Sequence, residues 1–258
     1  MAQPPEWQLP PGVTRGVWNY IQSYDIADQY DDYFALNRLF EFDEQVLARH
    51  FCRPGVVIDL GTGTGRALMG LARRGFRGLG VDLSRSMLHI VAEKARLEQL
   101  PIQVVQANLV DLGCIRSRSA DYAVCLFSTL GMIRGRANRH RLLAHARRIL
   151  KPGGLLVVHV HNLWFNLYDP AGRRWLLAHL PRVLLGRGME LGDKYFHYRG
   201  IPQMFLHTFR QGELAGALGR AGFRIQEWIP LHVSRQRPLR CRWLLGRLRA
   251  NGWIAVCR

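Results

Sequence analysis

From Val56 to His161, short and almost wholly apolar runs alternate with amphipathic stretches. The runs are VVIDL (56–60), GLGVD (78–82), IQVVQA (102–107), YAVCLF (122–127) and LLVVHVH (155–161). Between them, RALMGLARRG reads as a helix ending at Gly75, and Ser84 reads as the N-cap of a helix reaching about Gln99. NRHRLLAHARRIL reads as a helix stopped by Lys151-Pro152-Gly153-Gly154. Strand, helix, strand in this order predicts a parallel sheet with helices on both faces. Runs that are apolar throughout, rather than at every second residue, fit strands buried on both sides.

The first of these runs ends in VVIDLGTGTGRAL, with Asp59 followed by Gly61, Gly63 and Gly65. A glycine turn between a strand and a helix lets a ligand approach the backbone, with N–H groups facing it at the helix N-terminus. The dinucleotide fingerprint has its third glycine one residue later and no acid two residues before the first. Asp59 would repel a pyrophosphate and attract a cationic ammonium group. Asp82, ending the second run, can take the two hydroxyls of a ribose. Asn108, after the third, can read the edge of a base whose faces pack on Leu83 and Leu109. Turn, acid and amide thus fall at three successive strand ends.

Other segments frame this sheet. The Pro-rich start reads as a tail, and residues 28–51 as one or two amphipathic helices with Phe34, Leu36, Leu39, Phe40, Val46 and Leu47 at helical spacing. These give an N-terminal tail and helical cap over 1–54, ahead of a sheet domain over 55–258. The rhythm breaks over 163–206, an aromatic-rich insertion with one helix, RRWLLAHLPRVLL, interrupted at Pro181. QGELAGALGRAG resumes a helix, FRIQEWIPL and GWIAVC read as closing strands, and residues 235–250 hold a basic amphipathic helix, PLRCRWLLGRLR.

The 258 residues carry a formal charge of +17, almost all of the excess arginine, since Lys94, Lys151 and Lys194 are the only lysines. The arginines are scattered, which fits a solvated surface better than a binding block. Five cysteines without a CxxC pair suggest neither a disulfide framework nor a zinc site, and no metal is expected. The N-terminus lacks the basic and apolar regions of a signal peptide, and no apolar run spans a bilayer, so a cytoplasmic protein is expected.

In their order, DLGTGTGR, GVDLSRSML, ANLVDL, DYAVCLFSTLG and LKPGGLLVV resemble the class I S-adenosylmethionine-dependent methyltransferases. The resemblance resumes at FRQGELAGALGRAGFRI. It implies an α/β, Rossmann-like, doubly wound sheet of seven strands, mostly parallel with an antiparallel last strand, and S-adenosylmethionine as cofactor. Carried over, it implies that Asp59, Gly61, Thr62, Gly63 and Gly65 hold the methionine part and Asp82 the ribose. Leu83 and Met87 would line the adenine, Asn108 and Leu109 would meet its edge, and Phe127 would face the sulfonium. Many relatives have Asp where this chain has Asn108. YDIADQYDDYF resembles the family's entry helix, in which Tyr24 or Tyr30 would lie over the cofactor.

A sulfonium methyl is already activated, so such an enzyme chiefly aligns a nucleophile. A base is needed only where the acceptor carries a proton. By strand alternation His159 and His161 share a face, and His161 is the expected base or acceptor-orienting group. Ser128, Thr129 and, more weakly, His207 are expected to bind the acceptor. The insertion would lie over it as an aromatic lid. A small-molecule acceptor is expected. An RNA methyltransferase would use Arg240, Arg242, Arg247 and Arg249 with Trp243 on phosphates and bases. The same segment offers a peripheral membrane face through Leu239, Trp243, Leu244 and Leu248. A protein that binds the cofactor without catalysis is the third alternative.

Overall fold

The computed structural model describes residues 4–35, 40–186 and 188–258, and the side chains of all of these but 34 and 35. Seven strands form one sheet: β1 (Val56–Leu60), β2 (Arg77–Asp82), β3 (Ile102–Gln106), β4 (Ala120–Cys125), β5 (Leu150–His161), β8 (Ile225–Pro230) and β9 (Gly252–Cys257). Their order is β3-β2-β1-β4-β5-β9-β8. All neighbours are parallel except β9, which runs antiparallel to both β5 and β8. This is the Rossmann-like sheet that the sequence predicts. The order reverses between β1 and β4, which places the glycine turn after β1 at the switch point where ligands bind such sheets.

Alternate strand residues feed two apolar layers. Ile58, Leu60, Ala123, Leu156, Val158 and Val160 pack with Leu142, Leu143 and Ala146 of helix α8 (Arg136–Ile149) and with Leu214 and Leu218 of α10 (Gln211–Arg220). Val57, Val124, Val157 and Ile254 pack on the other face with Phe42, Val46 and Leu47 of α4 (Glu41–His50) and Leu68 and Leu71 of α5 (Arg66–Arg73). Cys125 and Cys257 are enclosed in the first layer, and burial pushes both thiols up to about 12. A thiol reagent applied to the native chain should therefore label the exposed Cys52, Cys114 and Cys241 and spare the other two until the chain is unfolded. Mass spectrometry of the labelled peptides reads this directly.

The region before β1 is helical: α1 (Arg15–Gln22), α2 (Tyr24–Asp28), α3 (Tyr30–Ala35) and then α4. Thr14 caps α1 and Ser23 caps α2, each accepting an N–H from three residues on. Of the apolar residues predicted for this region, Leu36 and Leu39 lie outside the described residues, as does the side chain of Phe34. Helix α6 (Arg85–Leu97) starts at the predicted cap, where Ser84 accepts from Met87 N–H.

Three local predictions are corrected. The helix of the insertion, α9 (Pro170–Leu184), runs through Pro181 into its last turn and forgoes the hydrogen bond that an N–H at this position would make. The insertion also holds a hairpin, β6 (Asp193–Tyr198) with β7 (Ile201–His207), closed by Arg199 and Gly200, both at positive φ. The basic segment is not a helix over its length. Only Gly246–Arg249, α11, is helical, because Cys241 and Leu245 adopt left-handed φ values of 50° and 49° that break a right-handed turn. Among the described residues no helix is long and apolar enough to cross a membrane.

Candidate functional site: the glycine turn and the ends of β4 and β5

Gly61, Gly63 and Gly65 all take positive φ, as a turn this tight requires. They are not equivalent. A Cβ on Gly61 would lie 2.3 Å from Thr129 Cγ2, so Gly61 serves packing against the end of β4. A Cβ on Gly63 would meet nothing within 4 Å, and it is there that the turn lies open to a ligand.

Four backbone donors of the turn, those of Gly61, Thr62, Gly63 and Gly65, are taken within the protein. Gly61 and Thr62 N–H both donate to Val81 O, and Gly65 N–H donates to Thr62 O. Gly63 N–H donates to Asp82 Oδ2 at 2.9 Å. These four N–H groups therefore do not face a ligand. The turn offers close approach and carboxylates rather than a nest of donors, which disfavours phosphate.

The carboxylates are two. Asp59 is buried and accepts from Thr62 Oγ1 at 2.9 Å. Burial raises its pKa to about 7; the Thr62 bond opposes the rise and the neighbouring Asp82 adds to it. Asp82 also accepts from Ser84 N–H at 2.9 Å, and burial outweighs its backbone hydrogen bonds to raise its pKa. Neither forms an ion pair among the described residues. A ligand carrying an ammonium and hydroxyls would complement these two neighbouring carboxylates, one buried and one part-buried.

The N-terminal helices close over this turn. Thr64 Oγ1 donates to Asp31 Oδ1 of α3 at 2.7 Å, and Lys94 of α6 pairs with the same carboxylate. Ser84 Oγ donates to Ile21 O at 2.8 Å. Of the two predicted tyrosines, Tyr24 is 64% exposed, whereas Tyr30 lies close enough to Asp82 for their charges to interact. Tyr20, which sequence reasoning missed, is similarly near Asp82, and burial raises both phenol pKa values. Met87 is buried against Ile26, Ala27 and Ile201, and Leu83 packs beside Val17 and Met204, so the cap and the hairpin cover both. Asn108 uses Nδ2 on Pro11 O and Oδ1 on Val110 N–H, and Leu109 lies in the sheet core.

Phe127 and Ser128 follow β4 in consecutive left-handed conformations, φ 49° and 66°. Strain of this kind collects at functional sites. Here it turns Phe127 towards β5, its ring centre 6.4 Å from those of both His159 and His161 and 4.7 Å from Phe40. Ser128 Oγ is buried and accepts from His161 N–H, and Thr129 Oγ1 donates to Leu126 O. Both hydroxyls hold the end of β4 in place.

His207 stands elsewhere. It is fully buried, with Nδ1 2.7 Å from Asp193 and Nε2 2.8 Å from Glu213. Glu190, His207 and Glu213 bring potential metal ligands within 4.8 Å of one another. The guanidinium of Arg139, 2.7 Å from Glu190 and 3.9 Å from Glu213, already supplies the positive charge. In the basic segment Leu239 is buried while Trp243 is 82% exposed. Arg249 is turned inward onto Cys241 O and Leu244 O, leaving Arg240, Arg242 and Arg247 outward. A cleft of about 580 Å³ between Trp164, Arg210, Glu213 and Arg247 shares no residue with the glycine turn.

This geometry agrees with what the chain is similar to. A family profile described as a methyltransferase domain matches residues 57–154. A ubiquinone/menaquinone biosynthesis C-methyltransferase of Acidiphilium cryptum is 29% identical over 77% of this chain and 79% of its own length. A carboxy-S-adenosyl-L-methionine synthase of Yersinia pestis is 33% identical over 66% of this chain and 72% of its own length. Two further relatives, at 32% and 30% identity, are spanned over only 43% of their length. Among solved structures, a methyltransferase of Methanosarcina mazei superposes with a TM-score of 0.63 at 21% identity, over 79% of this chain and 92% of that one.

Proposed function

The chain belongs to the class I S-adenosylmethionine-dependent methyltransferases, and we propose that it transfers a methyl group to a small organic acceptor held beside Phe127. The observation that carries the cofactor reading is the pair of carboxylates flanking the open side of Gly63, the buried Asp59 and the part-buried Asp82, neither of them ion-paired among the described residues. Asp59 would pair with the amino-acid ammonium and Asp82 with the ribose hydroxyls. Tyr30, Leu83 and Met87 would enclose the adenosine, with Asn108 and Leu109 at its edge. When bound, S-adenosylmethionine supplies a methyl group on a sulfonium sulfur, activated for attack by a nucleophile. The chain's own part is to exclude water from that methyl and to align the acceptor, effects worth about 7–11 kcal/mol when alignment is good. The relative from Acidiphilium cryptum, named for quinone biosynthesis, supports an acceptor of small-molecule size.

Calorimetry with S-adenosylhomocysteine tests the cofactor site. An ammonium favours ionised Asp59, whose pKa in the free protein is about 7. Affinity should therefore rise about tenfold from roughly pH 6 to 8 and level off above, as the protonated fraction is lost. Absence of binding would remove the proposal, and a flat pH profile would remove Asp59 from the ammonium site. A labelled-methyl screen over metabolite and RNA pools then separates a small-molecule enzyme from an RNA enzyme and from a binding protein.

A further inference from the structure

His159 and His161 project to the same face of β5, against the layer that contains α4. His159 is 1% exposed, and its Nδ1 lies 2.8 Å from Asp43 Oδ2 on α4. A carboxylate accepts, so in the neutral ring Nδ1 carries the hydrogen and Nε2 keeps a bare lone pair. That Nε2 is buried and has no hydrogen-bond partner among the described residues. His161 is in the opposite tautomer. Arg235 Nη1 donates to its Nε2 at 3.1 Å, which leaves the hydrogen on Nδ1. This Nδ1–H is also buried and, among the described residues, unpartnered. Burial first, then His159, Arg235 and Lys194, lower the His161 pKa to about 3, so the ring stays neutral.

The pair therefore presents one buried acceptor and one buried donor. The ring centres are 6.2 Å apart, so the two rings are close neighbours, and where those nitrogens face each other one oxygen would span them through two hydrogen bonds of about 5–6 Å end to end. A hydroxyl is the group that satisfies both: its O–H donates to His159 Nε2 and its lone pair accepts from His161 Nδ1–H. The surroundings favour the ionised form of that hydroxyl. The Arg235 guanidinium lies over the Phe127 ring, 5.7 Å from its centre, and Lys194 is near enough to act on His161. Asp43 is the carboxylate that faces His159, and the Phe127 ring gives the apolar wall that an aromatic ring would stack on.

We propose that His159 and His161 bind the acidic hydroxyl of a phenolic or enolic methyl acceptor, with His159 Nε2 as the catalytic base and Asp43 as its positioning residue. This rests on the methyl-transfer reading above. The acceptor's O–H bond breaks with the proton on His159 and the electron pair on oxygen. That oxygen would form the new bond to the methyl group of bound S-adenosylmethionine, the sulfur–carbon bond breaking with its pair left on sulfur. The proton then leaves His159 for solvent. His161 orients the oxygen and takes no proton.

The probe is 4-nitrophenol, whose phenolate is read by its visible absorption, titrated with the full chain with and without S-adenosylhomocysteine. At roughly pH 6, protein in excess should raise the ionised fraction at least about threefold over free probe. Asp43→Asn reverses the His159 tautomer at nearly constant shape and should abolish the rise, as should His159→Gln. Calorimetric affinity for S-adenosylhomocysteine, unchanged in both variants, shows that they are folded. The proposal is overturned by a neutral bound phenol, by a phenolate signal that persists in both variants, or by no signal from a chain that binds S-adenosylhomocysteine. The last result would give the two nitrogens to a resident water. Failure to bind S-adenosylhomocysteine would strike the cofactor reading instead, and the titration without it still reads the histidine pair.

Discussion

Asp82→Ala should bind S-adenosylhomocysteine at least about a hundredfold more weakly than the native chain, because two hydrogen bonds to a charged group are worth about 3–6 kcal/mol together. The carboxylate has two roles. One lone pair of each oxygen holds the backbone, Oδ2 at Gly63 and Oδ1 at Ser84. Leu83 N–H adds a third backbone hydrogen bond, and the carboxylate's remaining acceptor capacity would serve the ribose hydroxyls. Removing the carboxylate takes the acceptor from the N–H groups of Gly63, Leu83 and Ser84 and loosens the turn at its open position. Asp82→Asn keeps one acceptor oxygen and puts an N–H against one of those donors. It should therefore fall between the two in affinity, and close to native in melting temperature. Calorimetry well below the transition separates the lost contact from the loosened turn. Native affinity in Asp82→Ala would show that the ribose lies elsewhere.

The largest effect on stability is expected at His207. Its ring joins Asp193 of the hairpin to Glu213 of α10, and Arg139 of α8 closes the cluster on Glu190 and Glu213. Burial alone would lower the His207 pKa; the two carboxylates reverse this and raise it. The same contacts lower the pKa values of Asp193 and Glu213 against their own burial. His207→Ala leaves two enclosed carboxylates with Arg139 alone, a change of the kind that costs about 3–5 kcal/mol. For a chain this long the melting temperature should fall by roughly 10 °C.

The signs for pH differ within the cluster. A raised histidine pKa gives stability that is complete below the unfolded value near 6.5 and lost as pH rises through the folded value. Depressed carboxylate pKa values give stability that is present above about 4 and lost as pH falls through theirs. Native stability should therefore peak between about pH 4.5 and 6.5 from this cluster, and His207→Ala should flatten the alkaline side. Melting curves across pH, native against variant, check both limbs.

The sheet was legible because its signals are local. Five apolar runs, a glycine turn and the Ser84 cap each declare themselves within a dozen residues, and the antiparallel closure of β9 followed from the family resemblance. Asp59 and Asp82 could be read for the same reason, since strand ends in such a sheet converge by topology. The Asp43–His159 contact could not, because 116 residues separate its partners and nothing in FDEQVL marks Asp43 as inward. The hairpin of the insertion carried a signal, the alternation in DKYFHYRGIPQMFLH around Arg199-Gly200, masked by its aromatic content. The basic segment failed for a physical reason: its 3.6-residue pattern is genuine, but burying Leu239 and closing the chain before β9 impose left-handed turns that no helix accepts.

The contacts of the first 35 residues with the turn have a kinetic consequence. Asp31 with Thr64 and Lys94, Ile21 O with Ser84, and Pro11 O with Asn108 are latches on three successive loops. Each is worth about 0.5–1.5 kcal/mol, so together they favour the shut state by roughly ten- to a thousandfold. A ligand bound beneath them would leave once these contacts had opened. Turnover would then be timed by departure of the spent cofactor rather than by bond making, and a weakened latch would quicken each cycle while shortening the stay of every ligand.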